Sequence, residues 1–148
     1  MSSYRKIYYH IVFGTKHRQP TITPEYDEAL YKYIWGIITK QNCMLYRING
    51  TTDHIHILSD LHPSVCLADF VKDIKVASSI WMKGHGGFPL FTGWQEGYGA
   101  FTYAEKDKDM IIGYIKKQKE HHREENFLDE YKRLLKEHKI DFDEKYLL

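Results

Sequence analysis

Two short strings could carry chemistry together. The first is Thr52-Asp53-His54-Ile55-His56-Ile57-Leu58. Residues two apart on a strand share a face, so His54 and His56 would lie side by side while Ile55 and Ile57 turn to the core. Imidazole binds several divalent metals, and two histidines leave most positions open for a third ligand, water or substrate. The second string is Ile111-Ile112-Gly113-Tyr114-Ile115-Lys116-Lys117-Gln118. Tyr114 and Gln118 are four apart and share one helix face, with Ile111 and Ile115 on a flanking, core-facing side. A phenol is a usable nucleophile that can keep a phosphodiester's energy in a phosphotyrosine link. A carboxamide oxygen can ligate a hard cation. Each string alone has an ordinary explanation: two surface histidines on an amphipathic strand, and a half-buried tyrosine beside a solvated glutamine.

The elements that must position these residues are legible from periodicity. Tyr4 to Thr15 is aromatic and β-branched and reads as a strand. Lys16-His17-Arg18-Gln19 is a basic loop before Pro20. Thr23-Pro24 predicts a helix start, with Thr23 as cap, and the helix runs to about residue 41. Met44 to Asn49 alternates as a strand, Gly50 to Asp53 is turn material, and His54 to Ser59 is the second arm of a hairpin. Pro63-Ser64 predicts a second helix to about Met82, with Leu67, Phe70, Ile74 and Ala77 inward, broken by Lys83 to Gly87. Phe91 to Tyr103 reads as a strand bent near Gly97 and Gly99. Lys106 to His122 is a third helix and Asn126 to His138 a fourth. This order predicts an α+β, ferredoxin-like or RRM-like sandwich with a central antiparallel sheet, ending near Tyr103, and added C-terminal helices.

The bulk properties bound the reading. The 148 residues suit one domain, with a core of about 4–122 and a helical tail of about 123–148. The 21 Lys and Arg nearly balance the 20 Asp and Glu, so no whole-molecule field announces a nucleic-acid partner and such a case must rest on local patches. Cys43 and Cys66 lack a CxxC spacing and read as reduced, buried thiols of a cytoplasmic protein. The polar stretch Met1 to Lys6 is no signal peptide, and no apolar run approaches a membrane span of about 20 residues.

Taken together, the H-x-H strand, the later Tyr-x-x-x-Gln helix and the RRM-like order resemble the single-tyrosine HUH transposases, which comprise small bacterial insertion-sequence enzymes and REP-associated tyrosine transposases. Further matches are His10-Ile11-Val12-Phe13 followed by Lys16-His17-Arg18, Ser78-Ser79, Trp94-Gln95-Glu96-Gly97-Tyr98-Gly99-Ala100-Phe101, and His121-His122. The resemblance spans nearly the whole chain. It implies that His54 and His56 are metal ligands, Gln118 the third ligand, and Tyr114 the nucleophile that becomes 5′-phosphotyrosyl. It also implies magnesium or manganese, single-stranded DNA with hairpin ends, a homodimer in which one subunit's tyrosine helix can serve the other's histidines, and action at the nucleoid.

Lys16 and Arg18 in the basic loop, and Lys72, Lys75, Ser79 and Lys83 on the second helix, are the candidate phosphate contacts. Tyr98, Phe101 and Tyr103 could stack unpaired bases, with Phe101 better suited to the sheet core. Two other functions compete. A noncatalytic RRM-like nucleic-acid binder, such as a domesticated transposase, would not need His54, His56, Tyr114 and Gln118 together. A hydrolase of small phosphoesters leaves Tyr114 without a task.

Overall fold

The four strands form one antiparallel sheet in the order β2-β3-β1-β4. The computed structural model describes residues 3–147, so Met1, Ser2 and Leu148 lie outside the described residues. The strands are β1 (Tyr8–Gly14), β2 (Leu45–Gly50), β3 (His54–Ser59) and β4 (Gly99–Tyr103). The helices are α1 (Asp27–Lys40), α2 (Leu67–His85), α3 (Lys108–Lys116), α4 (Gln118–His121) and α5 (Phe127–Glu137). This is the α+β, ferredoxin-like arrangement that the element order predicts. No helix among the described residues is long and apolar enough to cross a membrane.

The sheet is covered on both faces, and strand parity explains how. Ile11 and Phe13 on β1 and Ile55 and Ile57 on β3 meet Leu30, Ile34 and Ile38 of α1 and Phe70 and Ile74 of α2 in the main core. The alternate residues Tyr8, His10 and Val12, with His54, His56 and Leu58, point to the other face. There Tyr8 and Leu58 pack on Ile111 and Ile115 of α3, and Val12 and Phe101 pack on Phe127, Tyr131, Leu134 and Leu135 of α5. The C-terminal helices thus form a third layer over the face that carries the histidines.

Several boundaries differ from the sequence reading. β1 begins only at Tyr8, because its partners end there: Ser59, the last residue of β3, lies opposite Tyr9, and Tyr103, the last of β4, lies opposite Tyr8. Pro24 opens a 3₁₀ turn, Pro24–Tyr26, before α1, and Thr23 makes no capping hydrogen bond. Helix α2 starts at Leu67 rather than at Pro63, since Cys66 caps it by accepting from the Asp69 amide; Ser64 instead engages His62. Cys66 is accordingly exposed, against the expectation of burial, while Cys43 is buried. Strand β4 is five residues long, not thirteen. Lys75 donates to the carbonyls of Gln95 and Gly97 and holds 95–97 as a loop, with Gly97 at φ 79°. Before β4 the segment joins the sheet through an isolated bridge from Trp94 to Thr15 and through the Gln95 amide, which donates to the Gly14 carbonyl at 2.9 Å. The predicted helix 106–122 breaks at Lys117. There the Asn49 amide donates to the carbonyls of Ile115 (3.1 Å) and Lys116 (3.0 Å), the groups that a continuing helix would use.

Gly14 marks where the third layer closes on the sheet. It pairs with His54 across β1 and β3. A methyl group there would stand 2.6 Å from the Phe127 ring and 2.9 Å from the Gln95 carboxamide oxygen. Gly14→Ala must therefore displace the start of α5, and overpacking of this kind costs about 1–3 kcal/mol. Urea unfolding of the variant is expected to show that loss. Unchanged stability would mean that α5 is not seated on β1.

Candidate active site and metal centre

Strand β3 delivers His54 and His56 to the covered face, both fully buried. Each ring is oriented through its inner nitrogen. His54 Nδ1 lies 2.7 Å from Asp53 Oδ1 and 3.0 Å from the Thr51 hydroxyl. His56 Nδ1 lies 2.8 Å from His10 Nε2 on the neighbouring strand. Both Nε2 atoms are thereby turned toward α4 and α5, the way metal-binding imidazoles are commonly fixed by a second shell of partners.

Three further side chains meet them. Gln118, the first residue of α4, is buried, and its Oε1 lies 3.3 Å from His54 Nε2. His122, one residue past α4, brings Nε2 to 3.1 Å from the same Gln118 oxygen. Glu130 of α5 is fully buried, with Oε1 3.2 Å from His54 Nε2, 2.9 Å from His56 Nε2 and 3.0 Å from His122 Nε2. His54, His56, His122 and Glu130 can each offer one ligand atom, all within 4.8 Å of one another. This donor set suits a divalent cation. Three imidazole nitrogens converging on one carboxylate oxygen cannot all carry protons without mutual repulsion, and a cation would satisfy them in their neutral form.

Tyr114 sits against this cluster within the same chain. Its ring centroid is 5.9 Å from that of His56. The hydroxyl donates to Glu130 Oε2 and accepts from Arg133 Nη2 at 2.8 Å. Arg133 is held in turn by Glu125 (2.9 Å) and Glu137 (3.1 Å). One carboxylate therefore joins the tyrosine to the histidines. Above them Phe127 stacks on His54, centroids 4.2 Å apart at 7°. A cleft of about 380 Å³, lined by Asp27, Thr51, Asp53, Lys119 and Phe127 among others, reaches the cluster at His122.

Burial and contacts set the protonation. Burial lowers His56 most, and its pKa falls to about 4 despite Glu130. For His54 burial also opposes the charged form, but hydrogen bonds to Asp53 and Glu130 outweigh it and the pKa rises. Burial would raise Glu130, yet the hydrogen bonds from His122, His54 and His56 hold it well below the usual carboxylate range. Burial and then the Glu130 charge push the Tyr114 phenol above its ordinary value, opposed by Arg133.

Of the residues singled out in the sequence, His54, His56, Gln118 and Tyr114 come together. The candidate phosphate contacts on α2 do not join them. Lys72, Lys75, Ser79 and Lys83 belong to α2, across the sheet from the histidines. Lys75 is committed to the carbonyls of Gln95 and Gly97, and burial lowers its pKa to about 8. Lys16 and Arg18 emerge near His54, because Thr15 follows Gly14 and its amide bonds the Asp53 carbonyl at 2.8 Å. Phe101 is buried under α5 and cannot stack a base. Ser78, from the Ser78-Ser79 pair, accepts the Trp94 indole N–H at 2.9 Å and serves packing. Sequence reasoning missed Glu130, Arg133 and the role of His10 and assigned none to His122.

Residues 3–118 match the family described as IS200-like transposase. The ISDra2 transposase TnpA of Deinococcus radiodurans is 26% identical over 117 residues, covering 74% of this chain and 82% of the relative. The transposase for insertion sequence element IS200 of Salmonella typhimurium is 28% identical over 117 residues, covering 76% of each. Among solved structures, a chain from D. radiodurans assigned as a transposase superposes with TM-score 0.60 at 27% identity, over 80% of this chain and 95% of its own. A REP-associated tyrosine transposase bound to a REP hairpin shares the fold at TM-score 0.60 and 16% identity, over 82% of this chain and 74% of its own. The chain belongs to the IS200-like transposase family.

Proposed function

We propose that the chain is a metal-dependent single-strand DNA transposase, cleaving and rejoining strands through a 5′-phosphotyrosine on Tyr114. The observation that carries this reading is the convergence of the Tyr114 hydroxyl, the two β3 histidines and Gln118 on one covered site. In the cleavage step the phenolic oxygen bonds to phosphorus, the bond to the 3′ oxygen breaks, and the released 3′ oxygen takes up a proton. Magnesium or manganese at His54, His56 and Gln118 would neutralise charge developing on the scissile phosphate. Glu130 and Arg133 hold the phenolic oxygen in place, its hydroxyl donating to Glu130 Oε2 and accepting from Arg133 Nη2, and the proton the phenol gives up on attack balances the one the released 3′ oxygen takes up. Lys16 and Arg18, at the His54 end of β1, are the candidate phosphate contacts nearest the site; Lys72, Ser79 and Lys83 would hold more distant parts of the strand.

The partners under this reading are single-stranded DNA with hairpin ends and a second copy of the chain, acting in the cytoplasm at the nucleoid. Tyr114 lies beside its own chain's His56, so each subunit of such a dimer has a complete set of groups in cis.

The test uses labelled single strands carrying the hairpins that flank the protein's own coding sequence. Cleavage and a protein–DNA adduct are expected with Mg²⁺ or Mn²⁺, and neither with EDTA or a blunt duplex. Tight binding without cleavage under any metal would instead favour the noncatalytic binder.

A further inference from the structure

The family match ends at Gln118, yet the residues most enclosed with the histidines include two that lie beyond it, His122 and Glu130. We infer that His122 and Glu130 are ligands of the same cation as His54 and His56, so that the chain's own C-terminal helix completes the metal centre and the centre takes a transition-metal dication in preference to magnesium. This deepens the function proposed above, which needs only His54, His56 and Gln118.

Three observations carry it. The first is spacing. Adjacent ligands in a shell of radius about 2.1 Å stand about 3 Å apart. Glu130 Oε1 is 3.2, 2.9 and 3.0 Å from the three Nε2 atoms, and Gln118 Oε1 is 3.3 and 3.1 Å from two of them. The second is pre-orientation. Asp53 and His10 occupy the inner nitrogens of His54 and His56, which leaves the outer ones for a cation. The third is that Glu130 is placed by packing and not by chance. Asn126 caps α5 by accepting from the Asp129 amide at 2.9 Å, and Phe127, Tyr131, Leu134 and Leu135 bury its inner face against Val12 and Phe101. A carboxylate on that face has nowhere else to go.

The donor set sets the selectivity. Magnesium prefers oxygen ligands and retains water, whereas imidazole suits manganese, and more strongly cobalt, nickel and zinc. Three imidazoles with one carboxylate and one carboxamide therefore favour the latter group.

The full chain, stripped with chelator, would be titrated with Co²⁺, Mn²⁺ and Mg²⁺ by calorimetry, and with Co²⁺ by visible absorption. One Co²⁺ per chain is expected, bound at least about a hundredfold more tightly than Mg²⁺. Glu130→Gln and His122→Asn should each weaken Co²⁺ at least about tenfold and change its absorption bands. Thermal melts check folding; should Glu130→Gln not fold, His122→Asn and Glu130→Asp carry the same expectation. Wild-type affinity and spectrum in these variants, with affinity lost in His54→Ala, would overturn the inference and leave the two-histidine centre standing. Unchanged Co²⁺ binding in His54→Ala, or no binding by the unmodified chain, would sink both. Preference for Mg²⁺ would overturn the selectivity.

Discussion

Under the proposed function, His54→Ala or His56→Ala is expected to reduce cleavage of single-stranded substrate by about 10³-fold or to background, since each would remove a ligand of the cation that neutralises charge on the scissile phosphate. The two variants should differ in stability. His54 carries the stacked Phe127 ring, so its loss also loosens the start of α5. His56 stacks against His10 and bonds its Nε2, and its removal leaves the Phe127 contact intact. His56→Ala is thus the cleaner test of chemistry, and His54→Ala should melt at the lower temperature of the two. Gel assays with Mn²⁺ and calorimetric melts measure both effects. Substantial cleavage by His56→Ala in a folded protein would rule out the metal role.

Tyr114→Phe is expected to eliminate both cleavage and the covalent adduct while leaving hairpin binding within about twofold, because phosphate contacts and the nucleophile are separate groups. The substitution deletes one oxygen. That oxygen donates to Glu130 and accepts from Arg133, and both keep other partners: Glu130 the three histidines, Arg133 the two carboxylates. The stability loss should therefore stay near the worth of one or two hydrogen bonds, about 1–2 kcal/mol. Denaturing electrophoresis with labelled strand separates the outcomes. Wild-type cleavage by the Phe variant would move the nucleophile to another residue.

The parts of this site that lie on one element were legible in the sequence. The two-residue period of a strand put His54 and His56 on one face and Ile55 and Ile57 on the other, and the core contains both isoleucines. The element order likewise gave the ferredoxin-like sheet. What stayed hidden depends on contacts between distant segments. Glu130 sits in an acidic, amphipathic stretch that reads as solvated until α5 is laid on the sheet. A signal was present: Tyr8, His10 and Val12, and also Leu58 and Phe101, make the histidine face too apolar to be left open, so some later helix had to cover it. The break at Lys117 was not legible at all, since Asn49 makes it from another strand. The same holds for the short β4, which Lys75 fixes from α2.

The central claim, that Tyr114 forms the covalent bond to DNA, is tested most directly by mass spectrometry of the trypsin-digested adduct trapped on a labelled single strand. Cleavage after Lys108 and Lys116 releases Asp109–Lys116, a peptide whose single tyrosine is Tyr114. The expected spectrum shows that peptide carrying the 5′-phosphorylated downstream strand, with fragment ions placing the mass on Tyr114. An adduct on any other peptide, or efficient strand cleavage with no adduct at any time point, would contradict it.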